Sequence, residues 1–171
     1  MLFRSKASAV PTGLSRNPLS NSLNIGELTG FPFEQGAATV FSLDDAPNAT
    51  PIEKWAGFSL MTDVAAGADG SLYVLEYASN FFKSTGVGSI WRIAPNGDRR
   101  QIISGLTRPT GLAVDSDGVL YVTNNADGIN GQLLRFSPAP GPLPLLGAWA
   151  AWSRSRVLRQ HLRRPRCLRR G

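Results

Sequence analysis

Residues 110–125 read TGLAVDSDGVLYVTNN, and residues 62–77 read TDVAAGADGSLYVLEY. Aligned without a gap, the two stretches are identical at seven of sixteen positions, including an Asp-Gly pair and the Leu-Tyr-Val that follows it. One fixed offset of 48 residues, with the turn residues in register, indicates an internal duplication. The chain is therefore predicted to be an array of repeats in which each copy forms one structural unit.

Each copy has the pattern of a β-hairpin. Asp-Gly between two short apolar runs favours a tight two-residue turn with positive φ angles, which suits antiparallel strands. In the second copy, the runs 112–114 and 120–122 place apolar residues on both faces of the predicted strands. This pattern predicts a sheet that is covered on both sides, as in sheets that pack face to face around an axis.

Two further strands are predicted after the hairpin. GSIWRI at 88–93 corresponds to GQLLRF at 131–136, and the Asn96-Gly97 turn leads from the first of these into RRQIISGL. Four short strands in about 48 residues are typical of one β-propeller blade. A more divergent copy is expected near the start of the chain, where TVFSL at 39–43 aligns with SIWRI and PTGL at 11–14 repeats residues 109–112.

The repeats predict an all-β fold, a partial β-propeller of about three blades of four-stranded antiparallel sheets, with a disordered or short helical basic C-terminal tail. The expected segments are a disordered N-terminus at 1–8, a partial propeller at 9–138 with blades at 9–58, 59–107 and an incomplete 108–138, and a Pro/Ala/Arg-rich tail at 139–171. Closed propellers usually have four to eight blades. Three blades would form an open arc with uncovered apolar faces, which predicts either self-association through the open blade edges or poor stability.

The charge is divided between the repeats and the tail. Residues 1–152 contain ten Lys and Arg against twelve Asp and Glu, whereas residues 153–171 contain eight Arg and no acid. The tail could bind anionic lipid or nucleic acid through its Arg charge, or act as a C-terminal sorting signal with a short apolar part. We favour a third interpretation, in which the abrupt change in composition reflects reading out of frame and the tail has no evolved partner.

Several classes of site and targeting signal are not supported by the sequence. The single cysteine, Cys167, excludes an intrachain disulfide and a multi-Cys metal site. The lone histidine, His161, has no Ser, Cys or carboxylate in a triad arrangement around it. No apolar run of signal-peptide length precedes Pro11, so no secretory signal is predicted, and the apolar run at 141–152 is too short to span a bilayer.

Four segments, the last of them GQLLRF (131–136), carry a resemblance to a known family. GELTGFPFEQGAATVFSL (26–43), TDVAAGADGSLYVLEYASNFF (62–82) and the run from GSIWRI to TNN (88–125) resemble the ScyD/ScyE family of NHL-like six-bladed β-propellers. That family is associated with scytonemin pigment biosynthesis in cyanobacteria and occurs more widely in bacteria. The resemblance covers residues 9–138 and implies an extracytoplasmic propeller of undefined biochemical role, with no catalytic residues to carry over. Family members are generally longer and have a signal peptide, so the localisation of this chain stays open.

Candidate binding residues lie where second strands end and first strands begin, because these ends of propeller strands open near the central channel. The second-strand positions are Glu27, Glu76 and Asn124 with the adjacent Asn125, and the first-strand positions are Thr62 and Thr110. Carboxylate and amide oxygens are ligands that calcium accepts, so a calcium or small-ligand site is one interpretation. The other, which we favour, is that these side chains cap strand ends and bind loop amides.

Aromatic residues give weaker indications. Trp91, inside the strand GSIWRI, is expected to pack in the core. Trp55 and the pair Phe81-Phe82 could instead line a carbohydrate or aromatic ligand surface.

Three functions are compatible with these features. We favour a non-catalytic binding or scaffold module of the ScyD/ScyE type. The first alternative is a calcium-dependent propeller hydrolase of lactones or esters, which rests on analogy of fold alone. The second is a small-ligand binding protein that captures a sugar or a pigment precursor on the channel face.

Overall fold

The computed structural model describes residues 9–29, 33–78, 87–125 and 130–138. These residues form three antiparallel sheets in which each strand pairs with the next along the chain. The first sheet contains β1 (Ala9–Arg16), β2 (Leu23–Thr29), β3 (Ala38–Leu43) and β4 (Ile52–Phe58). The second contains β5 (Met61–Ala66), β6 (Leu72–Glu76), β7 (Gly88–Ile93) and β8 (Arg99–Leu106), and the third β9 (Gly111–Val114), β10 (Leu120–Asn124) and β11 (Gln132–Phe136).

The architecture is a partial β-propeller, and the predicted all-β fold is confirmed for the described part of the chain. That part contains strands, turns and loops and no helix, hence no helix long and apolar enough to cross a membrane. The eight N-terminal residues, the basic tail and the pair Phe81-Phe82 lie outside the described residues.

The Asp-Gly turns are three-residue loops rather than the two-residue turns that we predicted. The N–H of Gly67 donates to the carbonyl of Ser71 at 2.8 Å, and the N–H of Gly70 donates to the carbonyl of Gly67 at 2.9 Å. Gly70 has a φ of 78°, and the equivalent Gly118 has a φ of 77°, whereas the aspartate before each is outside the positive-φ region. One positive-φ residue after a type I turn gives a hairpin with a glycine bulge, so Asp-Gly supplies a single left-handed position here.

The core lies in two layers between successive sheets. Val40, Val64 and Val74 belong to the layer between the first and second sheets, and Leu75 and Leu120 belong to the layer between the second and third. Successive residues of β6 therefore point into different layers, and all five residues of β6 are buried. This arrangement confirms the prediction of a sheet covered on both sides for the middle sheet.

The first strands of the three sheets lie side by side, so that β5 contacts β1 on one side and β9 on the other. The pairing with the second strand shifts register around Thr12 in the first sheet and around Thr62 in the second, so the same bulge recurs. Oγ1 of Thr12 donates to the carbonyl of Met61 at 3.0 Å, and Oγ1 of Thr62 donates to the carbonyl of Pro109 at 3.3 Å. A repeated threonine hydroxyl thus ties each of these blades to the next.

The two outer sheets each present one face to solvent. Leu14 of β1 is 65% exposed, although the equivalent Val64 of β5 is 2% exposed. Leu133 of β11 is 61% exposed, although the equivalent Ile90 of β7 is fully buried. The same apolar positions that build the core of the middle sheet are therefore uncovered at both ends of the arc.

Candidate functional site

Glu76 is the last residue of β6 and is 5% exposed. Its Oε1 accepts a hydrogen bond from the backbone N–H of Ser59 at 2.7 Å. Its Oε2 accepts from Oγ of Ser89 at 2.6 Å and from Nε1 of Trp91 at 2.7 Å. Both carboxylate oxygens thus connect the loop before β5 to the third strand of the same blade.

Asn124 ends β10 and repeats part of this arrangement. Its Oδ1 accepts from the backbone N–H of Thr107 at 2.8 Å, and its Nδ2 donates to Oε1 of Gln132 at 3.1 Å. Thr107 follows Ser59 by the same 48 residues that separate Asn124 from Glu76. The binding of a loop amide by the strand-end side chain is therefore a property of the repeat, as the capping interpretation describes.

The other predicted site residues lie at the same ends of the strands. Glu27 is 4% exposed and pairs with Pro11 of β1. Oγ1 of Thr110 lies 3.2 Å from Oγ1 of Thr123, and Asn125, with a φ of 64°, donates from Nδ2 to the carbonyl of Asn130 at 2.9 Å.

Metal binding at these strand ends stays a prediction. The hydroxyl of Thr62 donates to the carbonyl of Pro109, which directly precedes Thr110 in the chain, so Thr62 lies near Thr110. Glu76 and Asn124, by contrast, bind groups near the ends of their own sheets. Within the residues that the structure describes, no group of three or more His, Cys, Asp or Glu side chains is arranged to hold a metal ion.

Arg99 is a residue of this region that sequence reasoning did not single out. Its guanidinium carbon lies 3.7 Å from the ring centroid of Phe58 and 4.5 Å from that of Trp91. Its Nη1 and Nη2 donate to the carbonyls of Ala56 and Gly57 at 2.8 and 3.1 Å. Burial lowers the pKa of Arg99, and the negative charge of Glu76 opposes that shift. Trp91 is thus half-buried, packs against the core, and contacts both Glu76 and Arg99.

Asp63 on β5 is a partly buried charged residue that the repeat pattern did not reveal. Its Oδ1 accepts from the N–H of Val64 and its Oδ2 from the N–H of Leu112, both at 2.8 Å. Burial raises the pKa of Asp63, and the two backbone hydrogen bonds oppose this shift in part. In the sequence only one copy has an acid at this position, since Gly13 and Gly111 are its equivalents in the first and third sheets.

A cleft of about 250 Å³ lies between the first and second sheets, near the hairpin turns and away from the strand ends described above. Its polar lining includes Ser20, Ser22, Asn24 and Ser42. Trp55 also lines the cleft, whereas the predicted aromatic partners Phe81-Phe82 lie outside the described residues.

Comparison with known proteins gives similarities of fold. No protein-family model and no curated protein matches the chain. The chain is similar to the structure of a gluconolactonase from Xanthomonas campestris, reported as important in glucose secondary metabolic pathways, with 16% identity and a TM-score of 0.46 over 76% of this chain and 58% of that one. It is also similar to a gluconolactonase candidate solved by a structural genomics consortium, with 15% identity and a TM-score of 0.44 over 85% of this chain and 66% of that one.

This chain therefore spans less than two thirds of the length of either protein, and at such identities no activity is transferred by the likeness. The chain is a partial β-propeller whose described blades are joined by repeated side-chain to backbone hydrogen bonds.

Proposed function

We propose that this chain is a non-catalytic binding or scaffold module, a propeller protein of the ScyD/ScyE type. The observation that carries the proposal is the set of hydrogen bonds made by Glu76. Both of its carboxylate oxygens accept from buried or half-buried groups of its own blade, and Asn124 binds a loop amide at the equivalent position. A metal ion at these positions would have to displace bonds that hold the blade loops in place.

The ScyD/ScyE assignment is supported by where the resembling segments lie. ELTGFPF begins at Glu27, which lies near the end of β2 as Glu76 lies at the end of β6. The paired Asp-Gly hairpins correspond to β5–β6 and β9–β10, which have the same turn geometry.

Calcium titration separates this proposal from the hydrolase alternative. Calorimetry of the full chain is expected to give no saturable heat up to millimolar calcium, which covers the range in which weak extracellular modules bind the ion. Glu27→Gln, Glu76→Gln and Asn124→Ala should behave like the parent, with circular dichroism as the check on folding. Saturable calcium binding that is lost in Glu27→Gln and Glu76→Gln, together with calcium-dependent lactone hydrolysis, would replace the scaffold proposal with the hydrolase.

The scaffold role includes self-association, which the exposed faces favour. The outward face of the third sheet carries Leu133 where the second sheet carries the buried Ile90. The outward face of the first sheet carries Leu14 where the second sheet carries the buried Val64. Each exposed face thus has the pattern of a face that already binds a blade, and a second copy of the chain, placed head to tail, offers the complementary face.

Sedimentation velocity tests the self-association. The parent chain should associate increasingly with concentration, and Leu14→Ser and Leu133→Ser should each weaken that association. Ile52→Ser is a matched control, because Ile52 is 60% exposed but lies on the outermost strand β4. A parent chain that is monomeric at every concentration, or a control that weakens association equally, would contradict this part of the proposal.

A further inference from the structure

The first sheet differs from the other two at one cross-strand pair. Tyr73 pairs with Arg92 across β6 and β7, and Tyr121 pairs with Arg135 across β10 and β11. At the equivalent position of the first sheet, Asn24 of β2 pairs with Ser42 of β3. Two long side chains of the repeat are therefore replaced by two short polar ones in this blade alone among the three.

In the second sheet, the side chains of Tyr73 and Arg92 fill the space that corresponds to the cleft. Tyr73 is 4% exposed within the core layer, and Nη2 of Arg92 donates to Oδ2 of Asp69 in the adjacent hairpin turn at 2.9 Å. Where the first sheet has Asn24 and Ser42 instead, the cleft of about 250 Å³ opens against the second sheet. A water molecule occupies about 30 Å³ of liquid, so this cleft has room for roughly eight waters or for one small organic molecule.

The polar lining of the cleft contains the side-chain amide of Asn24, whose Nδ2 is available to donate a hydrogen bond to a ligand. Asn24 is 3% exposed, and in the described part of the chain its Nδ2 is buried and has no hydrogen-bond partner. A buried amide that makes no hydrogen bond costs free energy, which a ligand oxygen accepting from Nδ2 would recover. Near it, Ser22 is 7% exposed and its Oγ lies 2.8 Å from Oγ of Ser20, so hydroxyls that can donate or accept stand beside the amide.

The remaining walls add an apolar surface and one positive charge. Trp55 lines the cleft, and Nζ of Lys54 lies 5.8 Å from the centroid of its ring. Pro95, in the turn between β7 and β8, lines the side formed by the second sheet. An aromatic wall with a few placed amide and hydroxyl groups is the usual composition of a small-molecule site.

We propose that this cleft binds a small polyhydroxylated molecule of monosaccharide size, with a ligand oxygen accepting from Nδ2 of Asn24 and ligand hydroxyls bonded to the serines. A polyol matches the lining because it supplies many donors and acceptors together with C–H faces that pack on Trp55. The site lies away from Glu76 and Asn124, so sugar binding here is independent of calcium binding at the strand ends and of the scaffold role.

Saturation-transfer NMR on the full chain tests the proposal, with glucose, galactose and glucuronate at millimolar concentration as the probes. At least one of these sugars should receive saturation from the protein and should change the fluorescence of the parent but not of Trp55→Phe. The double variant N24Y/S42R restores the pair found in the other two sheets and should abolish binding while the β-sheet circular dichroism is kept. Asn24→Leu, which is nearly the same size but has no donor, should weaken binding at least tenfold.

A control variant and two outcomes make the test decisive. Gln101→Leu changes an exposed residue of β8 outside the cleft and should bind as the parent does. If none of the three sugars receives saturation, or if N24Y/S42R binds as well as the parent, the proposal is wrong. Should the double variant not fold, an unchanged affinity in Asn24→Leu overturns the proposal on its own.

Discussion

Nε1 of Trp91 donates a hydrogen bond of 2.7 Å to Oε2 of Glu76. The guanidinium carbon of Arg99 lies 4.5 Å from the ring centroid of the same tryptophan. The two charges are therefore separated by an aromatic ring instead of forming a direct ion pair. Glu76 was a candidate metal ligand on the basis of residue type and repeat position. Its contacts show that it organises the end of the second blade.

Removal of the Glu76 side chain should destabilise the protein strongly. Glu76→Ala leaves the N–H of Ser59, Oγ of Ser89 and Nε1 of Trp91 without their acceptor. Because each buried donor without an acceptor costs about 1–3 kcal/mol, we expect the free energy of unfolding to fall by roughly 3 kcal/mol or more. Urea denaturation followed by tryptophan fluorescence measures this, with the exposed Glu34→Ala as a control that should change little. Equal effects in the two variants would contradict a structural role for Glu76.

The threonine hydroxyls should stabilise the contacts between blades unequally. Thr62→Val removes the bond to the carbonyl of Pro109 in the next blade and should lower the free energy of unfolding by about 1 kcal/mol. Thr12→Val should act similarly through Met61. Thr110→Val should have a smaller effect, since the hydroxyl of Thr110 contacts the exposed Thr123 of its own blade. A loss in Thr110→Val as large as in Thr62→Val would show that the bonds between blades contribute nothing of their own.

Asp63 should make the stability fall as the pH rises through the acid range. Burial raises its pKa in the folded protein above the ordinary value of 3.8, so between these two values the folded state binds more protons than the unfolded state. The free energy of unfolding contributed by this group is therefore highest below 3.8 and decreases as the pH rises through the folded pKa. Denaturation midpoints of the parent and Asp63→Asn at several pH values test this, because the variant should lack the decrease. An identical pH dependence in both proteins would contradict it.

Asp69 should act in the opposite direction. Burial raises its pKa, but hydrogen bonds from Ser71 and the charge of Arg92 outweigh burial, so the pKa of Asp69 lies below 3.8. Its stabilising contribution is present above 3.8 and is lost as the pH falls through the folded pKa. Because the pair with Arg92 is half exposed at the carboxylate, we expect Asp69→Asn to cost about 0.5 kcal/mol near neutral pH and less in acid. Carboxyl carbon NMR titration measures the pKa directly, and a value above 3.8 would contradict the assignment.

Much of the fold could be predicted from the duplication. The Leu-Tyr-Val segments form β6 and β10, and GSIWRI and GQLLRF fall in β7 and β11, because the alternation of apolar residues reports strand faces directly. The predicted turn type was wrong, since Asp-Gly occurs in both two-residue and three-residue loops, and here the residue before the aspartate belongs to the loop and only the glycine has a positive φ.

The candidate site was harder to predict, because identity of residue type does not reveal which partner a side chain meets. The carboxylate of Glu76 accepts hydrogen bonds from Ser59 and Trp91, which lie 17 residues before it and 15 after it in the chain. The cleft at Asn24 and Ser42 was not predicted, because the residues that the first repeat shares with the others do not indicate it. Its departures from the repeat, a missing tyrosine and a missing arginine, carry the signal.

The most direct test of the blade arrangement is a nuclear Overhauser measurement between Gly26 of β2 and Val64 of β5. A side-chain carbon at Gly26 would lie 3.2 Å from Cγ1 of Val64, so the two residues touch across the boundary between the first and second sheets. A strong cross-peak between the α-protons of Gly26 and a methyl group of Val64 is the predicted result. Its absence from a spectrum that shows the cross-peaks between the paired residues Val64 and Val74 would mean that the sheets form but do not stack as blades.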